Sequence, residues 1–491
     1  MKPPKDTLTE EEIQSGLSNV LKDGITTQAM VTLTGGVFLV SFALKMGASN
    51  VFIGLLAAIP FLAQLMHIPS VYLVEKYRMR RLITVSASLC GKIFLLFIGL
   101  IPIVFSSDVR VLLLAVAVGF RSMFIAVGAC SWNSWMRDLV PQNRMGSFFS
   151  ERMRLARTLD IPLALAAGMY IDYWMKNFPS NELFGYSILF FLGFSIGLLG
   201  VYYISMTPEP HMGPPESTFK FFSVITQPFK DKNFKNLLAF MGSWSFAVNL
   251  ATPFFTVYML KRLEMDVSVI IALSVLSQIM NIAFLRMWGR FSDRFSSKSV
   301  LSVCVPLYIA SILAWTFTTL PEKYALTIPL LTAIHIVTGI STAGVTLASG
   351  TIALKLAPKR KATPYLAANS LVNSLAAGIA PLLGGMCADF FAGRELSLTL
   401  KWISPGREFI FQTLNLQQWD FFFFLAFFIG LYSIHRLAAV KEVGEVKEKV
   451  VVYELVSEIR RGVSTISTTG NLRRMALFPF LLLRSLLENR R

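Results

Sequence analysis

Charge is what this sequence has least of: 15% of its 491 residues are Asp, Glu, Lys or Arg, where a soluble domain carries about a quarter. That scarcity excludes an ordinary soluble enzyme. Acids are scarcer still, 29 against 46 Lys and Arg, which leaves a formal net charge of +17. Nucleic acid, anionic lipid and membrane topology are the three readings of such an excess, and position along the chain separates them. The four cysteines, Cys90, Cys130, Cys304 and Cys387, form no Cys-x-x-Cys pair and fall within or at the ends of apolar runs. They read as small hydrophobes rather than redox groups or metal ligands. A Gly-x-x-x-x-Gly-Lys-Ser/Thr phosphate loop, a catalytic triad and a metal-ligand spacing are also missing. An ATPase, another enzyme, a cofactor and a bound metal are therefore not expected.

Apolar sequence is what the chain has in quantity. A helix crossing roughly 30 Å of hydrocarbon needs about 20 mostly apolar residues. About twelve runs qualify, at 25–46, 51–74, 82–105, 111–131, 155–176, 185–205, 236–260, 267–289, 300–320, 327–350, 366–391 and 418–438. They are apolar all round rather than alternating, so they are helices and not the strands of a barrel. Ahead of the first run, the acidic stretch Lys5-Asp-Thr-Leu-Thr-Glu-Glu-Glu-Ile13 lacks the basic character of a cleavable signal. Residues 1–24 are expected to remain as a cytoplasmic segment. With the N-terminus inside, the inner segments before the tail hold 22 Lys and Arg and the outer loops about nine. An even number of crossings then puts both termini in the cytoplasm. Positive charge spread over many short loops records topology, and nucleic acid is not expected as a partner.

Three short matches show an internal repeat. Leu73-Val-Glu75-Lys76 after the second run resembles Phe291-Ser-Asp293-Arg294 after the eighth, and Leu139-Val-Pro141 resembles Leu356-Ala-Pro358. Gly168-Met169-Tyr-Ile-Asp172 in the fifth run matches Gly385-Met386-Cys-Ala-Asp389 in the eleventh. The offsets are 218, 217 and 217 residues, which makes the chain two parallel six-span halves, 25–205 and 236–438. A Pro-containing cytoplasmic linker, 206–235, joins them, and a cytoplasmic tail, 439–491, follows.

In these features the chain resembles the major facilitator superfamily over residues 25–438. That family's signature between spans two and three is Gly-x-Leu-x-Asp-Arg-x-Gly-Arg-Arg-Arg. The first half matches it at Leu73, Glu75, Lys76, Arg80 and Arg81, with Val71 and Arg78 where glycines are usual; the second half matches at Gly289, Asp293, Arg294 and Lys298. The resemblance implies an all-α membrane protein of about 12 transmembrane helices in two six-helix halves, both termini cytoplasmic. It implies a monomeric secondary transporter moving a small solute by alternating access, coupled to protons or another ion, or driven by the solute gradient. A lipid flippase or scramblase, or a non-transporting sensor on the same fold, is the alternative.

Glu75, Lys76, Arg80, Arg81, Asp293, Arg294 and Lys298 are assigned to gating, as charges that latch the halves in one state and release them in another. The plainer reading is that they only set topology. Ionisable residues deep in a span cost at least about 2.5 kcal/mol and are the next candidates. Arg121 stands at mid-span four, where the family has a cavity-lining Arg within Arg-x-x-Gln-Gly, although Phe124 and Ile125 replace the Gln and Gly here. Asp160, on the neighbouring span, is its candidate partner for proton coupling; a permanent ion pair, with Arg121 or Arg157, is the alternative. His335 either titrates near neutral pH or is a hydrogen-bonded structural histidine. Lys92 lies on span three, which the family places outside the bundle, and reads as structural. Gln28, Asn249, Asn369 and Asn373 are candidates to line the cavity or to glue helices together. Ala380-Pro381-Leu-Leu-Gly384-Gly385 reads as a hinge. In the tail, residues 475–487 read as an interfacial helix, with partner docking as the alternative.

Overall fold

The computed structural model describes residues 5, 8–141, 145–212, 227–319, 325–357, 362–405, 407–446 and 448–466. Its first helix starts well before the apolar run. The Thr9 side chain accepts the Glu12 N–H at 3.2 Å, and the Glu12 carboxylate accepts the Thr9 N–H at 3.2 Å. This capping box satisfies two otherwise orphaned donors and opens α1 (Glu10–Thr34). Residues 10–24, read from the sequence as part of a cytoplasmic segment, are helical and continuous with the apolar run, with Val20 buried and Gly16 against Pro208. Gly36, at φ +51°, turns the chain into α2 (Gly36–Lys45), which completes the first span.

The second span is α3 (Asn50–Leu62) and α4 (His67–Tyr77), bent by 43°. At the end of α4, Arg78 takes the left-handed conformation, φ +51°, where the family's signature usually has glycine. The turn is thus kept with a residue that rarely adopts it. The first half continues as α5 (Arg80–Val104), α6 (Ser107–Leu139), α7 (Met145–Asn177) and α8 (Glu182–Ser205). The second half is α9 (Lys232–Lys261), α10 (Val267–Arg294), α11 (Ser297–Ala314), α12 (Thr327–Leu356), α13 (Ala362–Phe390) and α14 (Trp419–Ala438). Among the described residues, ten spans pass for membrane crossings by length and apolar content, and the bent second span makes eleven. Helix α7 is long enough to be the twelfth but carries Asp160, Asp172 and a basic first third.

Large aromatic side chains fill both halves. Phe42 packs on Tyr186 and Phe190, at ring-centroid distances of 5.8 and 5.0 Å. In the second half Phe255 stacks on Trp315 at 4.4 Å, with Tyr258 edge-on to Trp315 at 5.9 Å. Contacts between halves run along α3 with α13 and α7 with α10.

Two elements were not expected. The loop between α13 and α14 is an antiparallel hairpin, β1 (Glu395–Ser404) and β2 (Arg407–Gln417). The mixed-charge part of the tail forms α15 (Glu448–Ile466), which packs on α11 with Val451 buried. The stretch expected as an interfacial helix, 475–487, lies outside the described residues, as do Arg144, Arg157's side chain and Lys361. The start of α1 and α15 mark one end of the bundle, the terminal end, and the β-hairpin marks the other, the hairpin end.

Candidate functional site

A charge buried in a helical bundle is costly unless a partner or ligand answers it, so charged walls of an internal cavity mark the place to look. A cavity of about 260 Å³ lies within the first half, among α1, α5, α6 and the start of α7. Asp23, Lys92, Arg121 and Arg152 line it, one from each of these helices. Arg152 Nη2 is 3.7 Å from Asp23 Oδ2, and the guanidinium sits 5.0 Å over the Trp132 ring. Thr27 Oγ1 donates to Asp23 Oδ1 at 3.2 Å, and Lys92 Nζ donates to Ser88 Oγ at 2.8 Å. Helix α8 makes room for two of these side chains. A Cβ at Gly197 would meet Lys92 Cε at 3.1 Å, and one at Gly200 would meet Asp23 Oδ1 at 3.1 Å.

Among the described residues the charges do not balance: three cations face one carboxylate. Arg152 Nε and Thr84 Oγ1, both in the wall, are buried without a hydrogen-bond partner. Apolar groups supply the rest, among them Met30, Val31, Phe124, Ile125 and Trp132. A cationic wall with spare donors beside an apolar one is chemistry that recognises a small organic anion.

The residues singled out from the sequence divide. Arg121 lines this cavity, but Asp160 does not. Asp160 is buried and accepts from Thr32 Oγ1, tying α7 to α1, so the carboxylate that shares the cavity with Arg121 is Asp23. Gln28 is outside the cavity lining, and its carbonyl accepts from Thr32 at 2.9 Å. His335 is buried, with Nδ1 2.8 Å from the Leu331 carbonyl and its ring edge-on to Trp315 at 5.6 Å. Asn249 Nδ2 donates to the Ser245 carbonyl at 2.8 Å, Ser245 Oγ donates to the Asn373 carbonyl at 3.2 Å, and Asn373 Nδ2 reaches Asn369 Oδ1 at 3.5 Å. That chain joins α9 to α13, the geometry of interhelical glue.

The repeated Gly-Met-x-x-Asp segments meet the opposite half at the hairpin end. Asp172 on α7 accepts the N–H groups of Val267 and Ser268, at 3.0 and 2.9 Å, which are the first two residues of α10. Asp389 on α13 accepts the N–H of Val51 at 3.1 Å and Asn50 Nδ2 at 2.7 Å, at the start of α3. Each half thus caps a helix N-terminus of the other, where a negative charge is favoured. The paired glycines permit the approach: a Cβ at Gly168 would meet Ser268 Cα at 3.1 Å, and one at Gly385 would meet Val51 Cα at 2.6 Å.

The residues assigned to gating sit at that terminal end. Arg80 is fully buried within the first half, paired with Asp138 and 3.7 Å from Glu209, and it donates to the Pro210 carbonyl at 2.7 Å. Arg81 donates to the Thr207 carbonyl at 3.4 Å, and Trp135 Nε1 to the Pro208 carbonyl at 3.0 Å. These groups grip the chain as it leaves α8. Arg80→Ala leaves Glu209, 5% exposed, without its cation, a loss of about 3–5 kcal/mol. A large drop in Tm is expected; a variant with normal Tm and altered transport would make Arg80 a gate residue instead. Glu75 and Lys76 are exposed, the ammonium lying 5.7 and 5.6 Å from the Tyr72 and Tyr77 rings. In the second copy Asp293 is exposed, whereas the bases engage the tail. Arg294 meets Glu454 at 2.6 Å, Arg290 meets Glu458 at 3.0 Å and Lys298 meets Glu445 at 2.7 Å. The Lys298 ammonium holds the Glu445 carboxyl below its ordinary range.

Comparison with known proteins fits this architecture. The family model described as Major Facilitator Superfamily matches residues 161–381 and 237–482, together more than half of the chain. No curated protein sequence matches significantly. Among solved structures, a point mutant of the nucleoside transporter NupG superposes with a TM-score of 0.67 at 11% identity, covering 87% of this chain and 100% of that one. A bacterial homologue of the iron transporter ferroportin, in an inward-facing state, gives 0.61 at 11% identity, covering 88% and 99%. A D-xylose-proton symporter gives 0.59 at 14%, covering 89% and 100%.

Proposed function

We propose, from the premise that this chain belongs to the Major Facilitator Superfamily, that its first-half cavity binds a small organic anion and delivers it across the bilayer by alternating access. The protein is an integral, multi-pass membrane transporter of a small solute. What the proposal adds is the class of solute and the residues that hold it. The observation that carries it is the set of three cations, Lys92, Arg121 and Arg152, facing the single carboxylate of Asp23.

Asp23 gives the site a means of coupling to protons. Protonation removes the one negative charge in the cavity and frees Arg152 for the ligand, so proton and anion each favour the other's binding. With both termini in the cytoplasm, as the loop charges favour, the Asp172 and Asp389 caps close the outer end and the site faces inward. Glu75, Lys76 and Asp293, exposed in this state, are positioned to latch the terminal end when it closes. One chain holds the whole path, so a monomer suffices. Lipid scrambling fits less well, because about 260 Å³ lies below the roughly 300–1,000 Å³ of drug-sized sites and far below a phospholipid.

The experiment is a thermal-shift screen of purified protein with matched pairs, each carboxylate or phosphate beside its neutral amide or alcohol. A ligand that binds only the folded state raises Tm. Anions are expected to stabilise and their neutral partners not to; stabilisation by neutral or cationic members alone would remove the anion reading.

A further inference from the structure

The hairpin between α13 and α14 takes no part in the transport scheme, yet its register is tuned. Leu396 pairs with Leu416, Leu398 with Leu414, Leu400 with Phe411 and Trp402 with Phe409. Residues directly opposed in an antiparallel pair share a face, so Leu396, Leu398, Leu400 and Trp402, with Phe409 and Leu416 opposite, form one apolar face. Glu395, Ser397, Thr399 and Lys401 fall on the other, opposite Gln417, Asn415, Gln412 and Ile410. Along β2 the apolar residues that oppose this face change parity, from Phe409 to Leu416. The irregularity opposite Leu398 and Thr399 skips one residue of β2 and brings both to the same side. A bulge that restores one continuous apolar face is a feature to be explained.

That face is exposed: Leu396 is 54% accessible, Leu400 57% and Trp402 67%. At the root Leu416 is covered, so there the face turns toward the bundle and not away from it. The root itself is fixed. Arg262 Nη2 donates to Gln417 Oε1 at 2.5 Å, the Gln417 N–H to Asp420 at 2.9 Å and the Gln418 N–H to the Arg394 carbonyl at 3.3 Å. Ten residues of strand extend about 33 Å beyond it.

We propose that the hairpin lies along the membrane surface at the hairpin end, its Leu-Trp-Phe face in the boundary between headgroups and acyl chains. Both strands spring from the ends of membrane-crossing helices, so the root is at the height where hydrocarbon gives way to headgroups. The apolar face continues the lipid-facing surface of α13, whose last turns expose Met386 and Phe390. Cations mark both of its ends. The Arg394 guanidinium sits 3.8 Å over the Phe390 ring, and Arg407 pairs with Ser404 at the tip beside Trp402. Arginine next to Trp or Phe at a membrane surface is the pattern of an interfacial anchor. Open strand edges exclude deeper insertion, since backbone groups need water or headgroups to satisfy them.

The test uses the unmodified full chain in vesicles of phosphatidylcholine and phosphatidylglycerol that contain a lipid with a diazirine high on its acyl chain. After photolysis, the peptide spanning 396–402 is expected to carry lipid adducts, and a water-soluble diazirine is expected to favour the polar-face residues. Leu398→Asn with Leu400→Asn should cut the lipid adducts several-fold while those on the spans stay unchanged. The proposal is overturned if the peptide reacts only with the water-soluble probe, or if it is shielded from both and crosslinks to the same peptide of a second copy.

Discussion

Lys92→Gln and Arg121→Gln are each expected to weaken anion binding about 10- to 100-fold, because each removes one charge-assisted contact of roughly 1.5–3 kcal/mol. Arg121→Lys should recover part of the loss, since it restores the charge but not the planar fork of donors. Asp23→Asn should act in the opposite direction. It mimics the protonated carboxyl, so at neutral pH the anion binds more tightly than to the native protein. In the native protein affinity should rise as pH falls, because the proton and the anion favour one another. In Asp23→Asn that dependence should flatten, and uptake against a gradient should be lost even though the ligand still binds. Titration of the ligand identified by thermal shift, at a series of pH values, reads all of these. A Lys92→Gln protein with native affinity would place the ligand elsewhere.

The second large effect concerns the closed end. Asp172→Ala with Asp389→Ala removes both carboxylates that cap helix N-termini across the interface. A cap of this kind contributes about 1–2 kcal/mol, so the pair should shift the balance between states by a factor of tens to several hundred. Spin labels at Asn181 and Glu264, exposed at the hairpin end of opposite halves, report it as a distance. The native protein is expected to give a short distance and the double variant a dominant longer one. Gly385→Val should open the same end by a different route, since its Cβ would lie 2.6 Å from Val51 Cα. An unchanged distance in both variants would mean that these contacts do not hold the gate.

The sequence carried the helices and their repeat, because about twenty apolar residues in a row allow little else. It did not show how far the first helix runs ahead of its apolar stretch. Hydropathy begins the apolar run near residue 25, whereas the Thr9 and Glu12 capping box, a Thr-x-x-Glu legible in the sequence, begins the helix at Glu10. Asp23, just ahead of the apolar run, was read with the cytoplasmic segment, and the helix that carries it into the cavity wall was not read. Lys92 was found at mid-span but set aside on the resemblance, which places its helix outside the bundle; Gly197 on α8 is what lets it into the cavity. Asp172 and Asp389 were visible as a repeat whose purpose could not be read, since their partners lie on the other half. The hairpin had a signal too: Leu396-Ser-Leu-Thr-Leu-Lys-Trp402 alternates as a strand does. Asp160, His335 and the Asn249 to Asn373 chain show the converse, polar groups in spans that satisfy one another.

The central claim, that a cation-lined cavity in the first half carries an organic anion, is tested most directly by flux. Purified protein is placed in liposomes, and uptake of the stabilising anion and of its neutral isostere is measured with and without an inward proton gradient. The account predicts that the anion enters, faster with the gradient, that the isostere does not, and that Lys92→Gln lowers the anion's rate. Equal entry of anion and isostere, or anion uptake indifferent to Lys92→Gln, would contradict it.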